Sequence, residues 1–180
     1  MKTNKYLSKL TILVLAVLLT FAASAEAQKK KTTTRKKTTT KTTSIATTNA
    51  LEVRDGANKV SIQIKNVTKF LYVLGGIATG IETADREVKS GKLKGAAVEE
   101  NNQNKQKVIA SIRNLKAGLA ALETEFSAKP SLRNYVFQIQ GITTLATQSE
   151  DLATAGRFSD SGRVFLLVIE KLSDTLVAMP

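Results

Sequence analysis

Beyond residue 50, apolar residues recur every three to four positions. Val60, Ile64, Val67, Leu71, Leu74, Ala78, Ile81 and Val88 step by four and three, with Asp85 the polar member of the series. This spacing lines one face of a helix. The alternation Val60, Ile62, Ile64 mimics a strand but does not continue. Asp55 or Asn58 is expected to cap the helix, and Gly91 and Gly95 to stop it. A second helix follows from Val108, Ile112, Leu115, Leu119, Leu122 and Phe126, ending before Pro130. Its leading stretch, "EENNQNKQK", is polar on every face and is expected to project from the core or fray.

Leu132, Tyr135, Val136, Ile139, Ile142, Leu145 and Leu152 predict a third helix, with Ser131 as cap and Gly156 as a left-handed stop. Phe165, Val168, Ile169, Leu172, Leu176 and Val177 predict a fourth, capped by Ser159 or Asp160. The fold class read from this pattern is all-α. Its expected form is an antiparallel up-down four-helix bundle with a longer first helical hairpin, preceded by a disordered basic tail.

The residues before this domain change the picture. "MKTNKYLSK" carries Lys2, Lys5 and Lys9. Leu10–Ala23 is then an apolar run of fourteen residues, followed by Ala25 and Ala27 in an A-x-A arrangement. A charged start, a short apolar stretch and small residues describe a secretory signal peptide over residues 1–27. The run is shorter than the roughly 20 residues a transmembrane helix needs. The chain is therefore expected to be exported, to the periplasm or outside the cell, without a stable span after cleavage. Lys29, Lys30 and Lys31 directly behind the cut oppose translocation.

Residues 28–50 form a Lys/Thr-rich segment with Lys29, Lys30, Lys31, Arg35, Lys36, Lys37 and Lys41 and no acidic residue. Most of the +12 net charge is concentrated there. Such a stretch has nothing to bury and repels itself, so it is expected to be a disordered linker. Its positive charges suit an anionic surface or polymer by counterion release. No aromatic residue is interleaved for base stacking, and the export signal disfavours chromosomal DNA. The alternative is a solvated spacer.

The domain, residues 51–180, holds one uncommon stretch, "KFLYVLGGIATGIETA". Two glycines inside a helix each cost about 1 kcal/mol relative to alanine. Gly75, Gly76, Gly80 and Ala84 form a small-residue seam. It reads first as a close intramolecular crossing or a kink, and second as a dimer face or membrane-active segment. The uncharged run Phe70–Ile81 would span about 18 Å as a helix, too short to cross a bilayer.

Composition narrows the chemistry. The chain has no Cys, no His and no Trp. Disulfides, thiolate or imidazole metal sites and a Ser–His–Asp triad are excluded, and no cofactor is expected. The acid pairs Glu99/Glu100, Glu123/Glu125 and Glu150/Asp151 do not face one another on a helix. No phosphate-binding glycine motif is present. The expected function is a non-enzymatic binding or interaction module at the cell envelope, with an envelope protein or anionic polymer as partner. The alternatives are a self-associating structural component and a carrier of a small apolar ligand in the bundle core.

Overall fold

The computed structural model describes residues 41–180. The expected signal peptide and residues 28–40 of the linker lie outside the described residues. Five α-helices are present among the described residues, and no strand. They are α1 (Lys41–Lys89), α2 (Ala96–Ala128), α3 (Val136–Ile139), α4 (Ile142–Thr154) and α5 (Phe158–Ala178), with a 3-10 helix at Pro130–Tyr135.

α1 runs unbroken for 49 residues. It begins inside the segment expected to be linker, so Lys41–Ala50 is helical. Asp55 and Asn58 therefore lie within the helix and cap nothing. Asp55 instead pairs with Lys59 one turn on, at 2.8 Å. The α-helix assignment continues through Gly75 and Gly76. Gly91 provides the expected stop, whereas Gly95 is the residue at the N-cap of α2. Gly91 adopts φ +73°, and the Lys92 N–H donates back to the Glu87 carbonyl at 2.9 Å, the bond that closes a left-handed helix end.

The apolar series of α1 faces inward: Val60, Val67, Leu74, Ala78 and Ile81 are buried. Phe70, outside the predicted series, is buried too and meets Phe165 edge-on, with ring centroids 5.4 Å apart. Asp85 breaks the series for a reason found on α2. It accepts hydrogen bonds from Asn101 at 2.8 Å and Lys105 at 2.7 Å. Asn101, expected in a solvated stretch, is only 6% exposed as a result.

Contacts fix the direction of each neighbour. Lys59 pairs with Glu125 and Asp85 with Lys105, so α2 runs antiparallel to α1. Glu123 reaches Thr143 and Arg113 reaches Glu150, so α4 runs antiparallel to α2. Phe70 meets Phe165 and Glu82 meets Ser159, so α5 runs antiparallel to α1. α4 and α5 are joined by a short turn through Gly156, at φ +79°, and are bolted by a buried serine pair. Ser149 and Ser161 hydroxyls lie 2.7 Å apart, and both side chains are fully buried.

The third predicted helix is not continuous. Leu132–Tyr135 belongs to the 3-10 helix, and the chain breaks at Gln140–Gly141, where Gly141 takes φ +90°. Only glycine adopts that angle readily, so "IQGI" is a break that periodicity alone overlooked. At the far end, Val177 is 86% exposed, not inward as expected, while Met179 beyond the helix is buried.

The caps also differ from expectation. Ser131 caps nothing; its hydroxyl donates to Glu52 of α1. Neither Ser159 nor Asp160 caps α5: Asp160 is held by Arg157 and Arg163. Carboxylates from neighbouring helices act instead. Glu123 of α2 accepts the N–H groups of Gly141 and Thr143 at the start of α4. Glu82 of α1 accepts the N–H and hydroxyl of Ser159 at the start of α5, at 2.8 and 3.1 Å. A negative charge at these N-termini satisfies orphan donors and complements the helix dipole.

Candidate interaction face

The glycines flagged in the sequence and the glycines that permit close packing are different sets. A Cβ added at Gly56 would sit 2.8 Å from Leu132 and 3.2 Å from Met179. One at Gly162 would sit 3.2 Å from Leu74, and one at Gly118 would meet Gln63 at 3.0 Å. These are the positions where α1 needs a missing side chain on itself or its neighbours.

At Gly75, Gly76 and Gly80 an added Cβ meets nothing among the described residues within 4 Å. All three residues are exposed, and Ala84 is half-buried. The reading of this seam as a close crossing within the chain is therefore corrected. The apolar stripe that packs inward is on the opposite side of α1, and the seam turns away from it. The sequence pattern showed a run of small residues but not which way it faced.

The outer face of α1 is unusual for a solvated helix surface. Between Lys69 and Glu82 it carries no charge. Tyr72 stands 86% exposed among Gly75, Gly76, Thr79 and Gly80. Ile62, also on this side, is 51% exposed. The glycines lower the surface around the ring, leaving a bare helix backbone beside a projecting aromatic side chain. Such a surface offers apolar contact and unusually close approach to a backbone, and no group for chemistry.

Elsewhere, charged groups are held in ion pairs. In a cleft of about 280 Å³ beside Gly156, the two charged lining residues, Asp85 and Lys105, are paired with each other. A second, sharing Asp85 and Gly156, includes Glu82 and Asp160, which hold Ser159 and two arginines. Glu150 is gripped by Arg113 at 2.6 Å and by Lys116, and these hydrogen bonds hold its carboxyl below the ordinary carboxylate range. Burial pushes the Glu125 carboxyl up, but hydrogen bonds from Lys129 and Lys59 outweigh it, and this group too lies low. Each perturbed acid is accounted for by an ion pair between elements or along one. No group of His, Cys, Asp and Glu among the described residues could hold a metal ion.

Of the basic residues expected to meet anionic surfaces, Lys29, Lys30, Lys31, Arg35, Lys36 and Lys37 lie outside the described residues. Lys41 is the first residue of α1. No described helix is long and apolar enough to cross a membrane. No protein-family model matches this sequence, and neither a curated protein nor a solved structure matches it.

Proposed function

We propose that the chain is an exported, non-enzymatic interaction module, built as an antiparallel up-down four-helix bundle with a long first hairpin. It docks through the outer face of α1, while the basic segment ahead of the helix contacts an anionic envelope surface. The observation that carries this reading is the open set Gly75, Gly76 and Gly80 beside the exposed Tyr72. Three interior glycines cost a helix about 1 kcal/mol each relative to alanine. Among the described residues they permit no contact in return, so the compensating contact is assigned to a partner.

A carrier of apolar ligands has weaker support. The two clefts are polar and open, and large side chains such as Phe126, Phe158 and Phe165 fill the centre. Catalysis has no constellation of nucleophile, base and orienting group behind it.

The test is cell fractionation of the wild-type chain beside Gly80→Glu. Wild type is expected in the envelope fraction, and Gly80→Glu in the soluble exported fraction with a melting temperature no lower than that of wild type. Replacing Lys29, Lys30, Lys31, Arg35, Lys36 and Lys37 by Gln should remove the salt-sensitive part of retention. Equal retention of Gly80→Glu and wild type overturns the docking face, and recovery of the chain from the cytosol overturns export.

A further inference from the structure

The outer face of α1 carries a positional symmetry. Lys65, Lys69, Tyr72, Gly76, Gly80, Thr83 and Glu87 step by four, three, four, four, three and four. They form one stripe along the helix, and all but the half-buried Thr83 are exposed. The steps read the same in both directions from Gly76, as they do about any helical residue, so what distinguishes this register is the side chains it pairs. An antiparallel copy of the same helix, related by a twofold axis through Gly76, therefore meets this stripe in register.

That register matches shape and charge as well as position. Tyr72, the bulkiest side chain of the stripe, falls opposite Gly80, where nothing among the described residues lies within 4 Å of an added Cβ. Gly76 falls opposite Gly76. Lys65 falls opposite Glu87, and by symmetry the pair occurs twice. Neither Lys65 nor Glu87 has an ionic partner among the described residues. The stripe covers 22 residue steps, about 33 Å of helix. A face with a projecting ring, an unfilled hollow one turn past its centre and opposite charges at its two ends is complementary to itself.

We propose that the partner of this face is a second copy of the chain, paired α1 to α1, antiparallel and centred on Gly76. This inference rests on the reading of the α1 face as the docking surface, and it names the occupant. A twofold, self-complementary contact closes on itself, so it gives a dimer and not a fibre. Packed helix axes lie about 8–10 Å apart, and glycine at the crossing favours the short end of that range. Subtracting a backbone radius of about 2.3 Å on each side brings the two Gly76 Cα atoms to roughly 3–5 Å.

The test uses the purified full chain, which lacks cysteine. Light scattering across a concentration series is expected to show a dimer that dissociates on dilution. Lys65→Glu or Glu87→Lys alone should weaken it about tenfold by setting like charges across the axis, and the double swap should restore it. Gly76→Cys should cross-link to itself on mild oxidation, since its Cα separation approaches disulfide range. Asp174→Cys on the exposed side of α5 should not. A monomer at every concentration overturns the second copy as partner, as does a dimer indifferent to Gly80→Glu and to both charge changes. If the chain is monomeric and Gly80→Glu still releases it from the envelope fraction, the face binds a different protein and the docking reading stands. If it is monomeric and retention is unchanged, both fail.

Discussion

A glycine in a helix means different things according to what stands opposite its missing side chain. At Gly80 there is open space, so Gly80→Ala should stabilise the isolated fold by about 1 kcal/mol through helix propensity alone. Gly56 is pressed by Leu132 and Met179. Gly56→Ala gains the same propensity but overpacks a fully buried leucine, at a cost of about 1–3 kcal/mol. Thermal or denaturant unfolding of the two variants at monomeric concentration checks this: Gly80→Ala should melt higher than wild type and Gly56→Ala lower than Gly80→Ala. Equal gains at both sites would mean that the contact at Gly56 relaxes freely. The buried Ser149–Ser161 pair is a similar single-residue device. Ser149→Ala strands the Ser161 hydroxyl and should cost about 1–3 kcal/mol, read from the same unfolding curves.

Among elements, the notable feature is that α4 and α5 borrow their N-terminal caps. Their own cap residues, Gly141 and Arg157, offer no side-chain acceptor to the helix. Glu123 and Glu82 supply it across helix boundaries. Such a cap couples the start of one helix to the position of another, so losing it loosens both. Glu82→Ala and Glu123→Ala should each destabilise the fold by about 1–2 kcal/mol, the range for loss of an N-cap. Hydrogen exchange should show the first turn of α5 or of α4, respectively, opening ahead of the rest. Unchanged protection there would show that solvent satisfies those donors equally well. This arrangement also explains why Ser131, Ser159 and Asp160 misled: their identities suit caps, but Ser131 and Ser159 are bonded to glutamates of α1, and Asp160 to Arg157 and Arg163 one turn away.

For the whole molecule, ion pairs tie α1 to α2 through Lys59 and Glu125, and α2 to α4 through Arg113, Lys116 and Glu150. Glu125 and Glu150 have their carboxyls held low in the fold. A carboxylate whose folded value is depressed contributes stability above its unfolded value, near 4.5, and loses it as pH falls through the folded value. Stability should therefore drop below about pH 4.5, where the basic chain also gains net positive charge. Glu150→Gln should flatten that drop while lowering stability at neutral pH, and denaturant midpoints from pH 3 to 7 would show it. An identical acid slope in the variant would remove Glu150 from the account. The apolar periodicity by itself determined that the domain is helical and most of the buried residues, because a repeat of three and four can bury only one helix face, while Gly91 and Pro130 marked where α1 and α2 end. The missing Cys and His likewise excluded whole chemistries without any structure. Tertiary structure alone decided why Asp85 interrupts an apolar face, which carboxylates cap which helices, and that Gly56 and Gly162 face neighbours while Gly76 and Gly80 face outward. Those facts depend on what lies across from a residue, and a linear pattern records only what lies beside it.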